Sequence, residues 1–284
     1  MKREFRVLSS LVNLALVVFA GGFAAAALVR FSPGFDVDEN SWNPRLSAST
    51  IKAMHRAREA ESRLPRFYLR YLTAALHGDF GTSDSYKEPV SDLLRERAPV
   101  TARLVVSGTC GGLALGALFA WMAVWPRRAF PELLSISASG LLLAIPPAVL
   151  GLGFFFWQAP LSLAVALAVL PRVFGTIRAV LGELYASPAL LAARARGIGA
   201  GQIALRYVLA AGLPQWLALA GVAIMLAFGL AVPIEALCDV PGIGQLAWKA
   251  ALARDLPVLC ALGLIVTFLV ASVQSVSEIA GAPR

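Results

Sequence analysis

Five stretches of this 284-residue chain run for more than twenty residues without a charged side chain: 7–29, 104–125, 133–171, 207–234 and 256–277. An apolar run of that length crosses the hydrocarbon of a bilayer as a helix, which takes about 20 residues. The chain needs lipid for them, because 58% hydrophobic residues and a mean hydropathy of +0.72 exceed what a soluble core buries. In lipid the backbone satisfies its own hydrogen bonds, so only helices and closed barrels span. These runs are continuous and rich in Leu and Ala, not short alternating segments between turns, which favours helices. The run 133–171 is too long for one crossing and holds Gln158, Ala159 and Pro160 past its middle. It reads as a tight helical hairpin. The expected fold is an all-α integral membrane protein of about six transmembrane helices.

Charge sets the orientation. With the amino terminus inside, the pieces 1–6, 126–132, 172–206 and 278–284 are cytoplasmic and hold eleven Lys or Arg against four acids. The outer pieces, 30–103 and 232–257, hold fourteen basic residues against thirteen acids. This is the positive-inside pattern, and it places both termini in the cytoplasm of a multi-pass protein. It also accounts for the net charge of +8 without a basic patch for nucleic acid. Lys2, Arg3 and Arg6 ahead of the first run, with Ala24, Ala25 and Ala26 in it, also fit a cleavable signal peptide. The run is long for a signal, and removing it would upset the orientation, so it is read as the first span.

The chain lacks the residues of an enzyme. A phosphate-cradling loop ends in Gly-Lys-Ser/Thr, and none of the four lysines, Lys2, Lys52, Lys87 and Lys249, follows a glycine. His55 and His77 lie apart in the outer segment, and the expected spans hold no acid for catalysis, a metal or a proton relay. Cys110, Cys238 and Cys260 have neither disulfide nor metal-ligand spacing. No catalytic residue, metal or cofactor is therefore expected. Arg172 and Arg178 fall in the inner half of the fourth span; Arg178 is expected to snorkel, and Arg172 to anchor at the interface or line a polar path.

Between the spans two segments stand out. The outer stretch 30–103 opens with the turn residues Pro33, Gly34, Asn40, Asn43 and Pro44. A helical pattern follows over 49–76, divided at Pro65, then a loop at 78–83 and a short helix at 89–97 leading into the second span. The inner stretch 186–206 is helix-prone but broken by Pro188, Gly197, Gly199 and Gly201, which suggests two short helices meeting at a turn. Arg194, Arg196 and Arg206 keep it wet, while Leu190, Leu191, Ile198, Ile203 and Leu205 offer apolar surface for docking. A loop that only connected spans could be far shorter.

Three motifs resemble those of one family, the peptide and nickel class of bacterial ABC importer permeases. The first is Arg30, Pro33 and Gly34, followed by Gly78-Asp79-Phe80-Gly81-Thr82-Ser83, Pro89-Val90 and Leu93. The second runs from Arg178 and Glu183 through Leu191, Ala192, Ala193, Arg194, Ala195, Arg196 and Gly197 to Leu213-Pro214, and is similar to the loop by which importer permeases dock on their ATPases. The third is Glu235, Pro241-Gly242-Ile243-Gly244, Leu246, Ala250, Arg254-Asp255 and Pro257, similar to the family's outer loop between the last two spans. Ala282-Pro283-Arg284 resembles the family's closing residues. Three departures stand against it: Leu191 occupies the usual Glu position of the docking loop, Cys238 replaces an aromatic, and the connection at 157–160 is very short.

The resemblance implies a type I importer fold with an extracytoplasmic helical segment and a cytoplasmic coupling helix. It divides the chain into an N-terminal tip and first span at 1–29, an outer segment at 30–103, and a permease core at 104–284. That core carries the coupling loop at 184–206 and the outer loop at 232–257. It implies as partners a second homologous permease, two cytoplasmic ABC ATPases that hydrolyse the ATP, an extracytoplasmic substrate-binding protein and the lipid bilayer of the plasma (inner) membrane. The cargo would be di- or oligopeptides, with nickel or another small solute as the alternative. A permease-like scaffold without transport is the alternative of another class.

Overall fold

The computed structural model describes residues 12, 15–24, 27, 64–124, 129–210 and 212–281. Among them the chain is helical, apart from an isolated bridge between Thr82 and Pro89. The all-α expectation holds. The helices are α1 (Ala15–Ala24), α2 (Leu64–Leu76), α3 (Val90–Val124), α4 (Ala129–Ala144), α5 (Pro147–Phe156), α6 (Leu161–Ala186), α7 (Pro188–Ala195), α8 (Leu213–Leu237), α9 (Ile243–Ala253) and α10 (Leu256–Gly281). A short helical stretch, Ala200–Gln202, runs into a π-helical one, Ile203–Leu209, ahead of α8.

Among the described residues four helices are long and apolar enough to cross a membrane unbroken: α3, α6, α8 and α10. A fifth candidate is the bent pair α4 and α5, which meet at 92°. The helix α1 belongs to the first apolar run, whose remaining residues mostly lie outside those described. So do the 30–34 motif, the 49–63 part of the outer helical pattern and the closing 282–284.

Two boundaries differ from the sequence expectations. The run 133–171 turns at 157–160 as expected, but it also breaks at Ile145 and Pro146. Pro146 is extended (φ −58°, ψ 135°) because a following proline disfavours helical geometry, and Pro147 then starts α5 where its missing N–H is harmless. The expected short helix at 89–97 is continuous with the second span, running through Pro99 in one 35-residue helix. Pro65, expected to divide the outer helical pattern, is the second residue of α2, and the part of the pattern before Leu64 lies outside the described residues.

The chain forms two compact units. In the first, comprising 1–7, 98–245 and 272–284, glycines set the packing. Gly108, Gly112 and Gly116 stand four apart on α3, and a Cβ at any of them would run into Val165, Val169 or Val173 of α6. Such small residues let helix backbones approach closely, which in lipid replaces the missing hydrophobic drive. Leu219, Ala223, Ala227 and Ala231 repeat the four-residue ridge on α8 and join the same buried cluster. Only 28–44% of each candidate span's apolar window is buried, so most of its surface is left for lipid or a partner chain.

The second unit comprises 8–97 and 246–271. Here Tyr68 of α2 is buried, with Phe19 and Phe23 of α1 edge-on to its ring at 5.4 and 5.5 Å. Its hydroxyl donates to the Phe19 carbonyl at 2.9 Å, which satisfies the one polar atom that its burial would strand. Tyr71 donates to the Pro257 carbonyl at 3.2 Å, tying α2 to the start of α10.

Candidate functional site

Each end of α9 is closed by a buried acid. Glu235, expected in a loop, lies in the last turn of α8 and is fully buried. The first N–H groups of α9 have no partner within their own helix. Gly244 N–H donates to Glu235 Oε2 at 2.7 Å, and Ile243 N–H donates to the Thr101 hydroxyl at 2.8 Å. The Thr101 hydroxyl and the Gln245 N–H also face the carboxylate, although Oε1 meets no close hydrogen-bond geometry among the described residues. A carboxylate at a helix N-terminus complements the positive end of its dipole.

The glycines of Pro241-Gly242-Ile243-Gly244 follow from this arrangement. A Cβ at Gly242 would overlap the Glu235 carboxylate, and one at Gly244 would meet the Val232 backbone. Cys238, at the C-cap of α8, is buried, and burial pushes its thiol pKa up.

At its other end α9 stops with Arg254 in the left-handed region (φ 56°). Asp255 N–H donates to the Ala250 carbonyl at 2.9 Å and Arg254 N–H to Ala251 at 3.3 Å, the two bonds of a Schellman stop. Asp255 is fully buried and begins α10 as its cap, with the Val258 N–H 3.4 Å from its Oδ1. Its Oδ2 accepts from the Ser83 hydroxyl at 2.5 Å and from the Ser85 N–H at 3.0 Å. Ser83 belongs to Gly78-Asp79-Phe80-Gly81-Thr82-Ser83, so two motifs far apart in the chain meet on one carboxylate.

That loop is shaped by its own residues. Gly78 and Gly81 have φ of 81° and 77°, which favours glycine, and Asp79 Oδ1 accepts from the Gly81 N–H at 2.9 Å. Phe80 is half-buried and Ser83 buried. Val90 and Leu93, at the start of α3, are buried as well.

The second motif folds into α7. Ser187 caps it, its hydroxyl oxygen accepting from the Leu190 N–H, and Pro188 sits at the first helical position. Gly197 ends it with φ 74°: its N–H reaches the Arg194 carbonyl at 2.9 Å, and Ile198 N–H reaches Ala193 at 3.2 Å. Leu190 and Ala193 are buried on the inner side of α7. Leu191, Ala192, Arg194, Arg196 and Gly197 are exposed, and Arg194 lies over the Tyr185 ring at 5.0 Å.

Two cations of the fourth span separate. Arg172 is exposed. Arg178, expected to snorkel, donates from Nη2 to Glu132 Oε1 at 2.6 Å. Sequence reasoning missed Glu132, Thr101 and Ser187 as contributors. Ser187 carried a readable signal, since Ser-Pro ahead of an Ala and Leu run is a helix start; the other two act across long sequence separations. Among the described residues no three His, Cys, Asp or Glu gather to hold a metal.

Residues 112–281 match the family described as binding-protein-dependent transport system inner membrane component. The chain is 26% identical over 245 residues to the dipeptide transport system permease protein DppB of Lactococcus lactis subsp. cremoris, covering 78% of this chain and 80% of that one. It is 24% identical over 289 residues to the nickel import system permease protein NikB of Staphylococcus aureus strain MRSA252, covering 96% and 88%. The protein of that name in strain USA300 is 24% identical over 295 residues, with the same coverage.

Proposed function

The chain belongs to the binding-protein-dependent transport system inner membrane component family, and we propose that, as an ABC importer permease subunit, it moves di- or oligopeptides into the cytoplasm. ATP is hydrolysed on two separate cytoplasmic subunits, a second homologous permease completes the path, and an extracytoplasmic receptor delivers the cargo. Both termini are cytoplasmic, so α7 faces the ATPases, and α9 with the 78–83 loop faces outward.

The observation that carries this reading is α7: a capped helix of about two turns that puts apolar Leu191 and small Ala192 on the surface of an otherwise charged loop. An exposed leucine beside two exposed arginines suits a partner cleft. Ala193, inward-facing, holds α7 to the protein, and Gly197 provides the stop, so the docking surface is Leu191, Ala192, Arg194 and Arg196. Closure of the ATPases on ATP would move α7 and, through Ser187, the end of α6. This biases a two-state arrangement of the spans.

Ala192→Trp places bulk on the exposed face without touching the cap or the left-handed Gly197. It should abolish co-purification with the ATPases while the protein still inserts in the membrane. Normal assembly of that variant would remove the docking role. Substrate-stimulated ATP hydrolysis in liposomes, with dipeptide against Ni²⁺ as the stimulus, decides between the peptide reading and the nickel reading that the likeness to NikB supports. No stimulation by either would favour the scaffold.

A further inference from the structure

A groove of about 700 Å3 opens between α4 and α6, within the size range of small-molecule sites. Its lining includes Glu132, Ser139 and Gly140 from α4, and Gly175, Arg178 and Glu183 from α6. At 1.5 Å per residue these positions extend about 12 Å along either helix. The glycines leave backbone open to the groove, since a Cβ at Gly140 or Gly175 would meet nothing within 4 Å. The Glu132–Arg178 pair is only 2.6 Å apart, yet 44% and 42% of these side chains stay exposed, and both line the groove.

The two charges stand at the inner ends of their helices and partner each other. A lone cation taking Glu132 would leave Arg178 without its ion pair, and a lone anion taking Arg178 would leave Glu132 without its own. A ligand carrying both charges exchanges one ion pair for two and strands neither. A divalent metal is poorly served, because the described residues gather no third donor beside Glu132 and Glu183.

We propose that this groove receives the two charged ends of a short zwitterionic peptide, its ammonium on Glu132 and its carboxylate on Arg178. The inference rests on the peptide-importer reading and deepens it: the permease itself checks for free termini, beyond whatever the external receptor selects.

The test uses the assembled permease–ATPase complex in nanodiscs, without the receptor, titrated with dialanine, N-acetyl-dialanine and dialanine amide. Wild type should bind dialanine and bind each capped form at least tenfold more weakly, about 1.4 kcal/mol. Glu132→Gln should erase the acetyl penalty alone, and Arg178→Gln the amide penalty alone. Equal binding of the three ligands by wild type, no binding of dialanine, or penalties that survive both substitutions would overturn the proposal. Receptor-dependent uptake by wild-type proteoliposomes separates the two failures. Dialanine uptake with penalties unmoved by the substitutions sinks the groove alone, and uptake of Ni²⁺ in place of dialanine sinks the peptide reading with it.

Discussion

Asp255→Ala is the sharpest perturbation of the outer loop. The native carboxylate is fully buried and takes the Ser83 hydroxyl at 2.5 Å, the Ser85 N–H at 3.0 Å and, more weakly, the Val258 N–H at 3.4 Å. Its removal leaves a buried hydroxyl and a partly buried N–H without an acceptor, at about 1–3 kcal/mol each. It also removes a helix cap worth about 1 kcal/mol. Relaxation of the 83–87 loop toward water offsets part of this, so a net loss of about 2–4 kcal/mol is expected, roughly 30- to 1,000-fold in the loop's opening equilibrium. Hydrogen exchange by mass spectrometry on peptides covering 79–90 reads this directly, because the Ser83 and Val90 N–H groups are held by Glu88 and Gly81 within the loop. Exchange there should quicken by about that factor in Asp255→Ala. Ser83→Ala should quicken it less, by about 1 kcal/mol, because Asp255 keeps its backbone donors. The double variant should add less than the sum. Unchanged exchange in Asp255→Ala would show that the carboxylate does not hold the loop.

Three further outcomes follow from the same geometry. Gly242→Ala drives a methyl into the Glu235 carboxylate and should destabilise the protein by about 1–3 kcal/mol, seen as a lower unfolding temperature in detergent. Gly112→Leu should separate α3 from α6 at Val169 and lower the yield of folded monomer on size-exclusion chromatography, whereas Gly153→Leu, with open space around its Cβ position, should not. Burial raises the Cys238 pKa, so less thiolate is present at any pH below that raised value. Its alkylation should therefore be slow near pH 8, climb only at higher pH, and approach the rate of a free cysteine after unfolding.

The spans were legible because an uncharged run longer than twenty residues has few other uses, and α7 because Pro188, Gly197 and Gly199 punctuate it locally. The break between α4 and α5 was hidden inside an apolar run, where Pro146-Pro147 changes direction without changing hydropathy. The joining of residues 90–97 to the second span in α3 was missed because the charges Arg95, Glu96, Arg97 and Arg103 precede the uncharged run, and the helix carries on through them and through Pro99. The motif residues of the outer loop could be picked out in order, but their partners could not. Ser83 and Asp255 are 172 positions apart, and Thr101 reaches Ile243 across 142; only folding brings them together. Arg178 was visible as an anomaly, and its pairing with Glu132 was not, since the two lie 46 positions apart on different helices.

The central claim is that α7 stands in the cytoplasm against an ATPase. An Arg196→Cys variant, in a chain whose three native cysteines are replaced, can be probed with a membrane-impermeant maleimide. The account predicts no labelling in intact cells, labelling in inside-out vesicles, and protection there when the ATPase subunits are bound. Labelling from the outside of intact cells would reverse the topology and contradict the account.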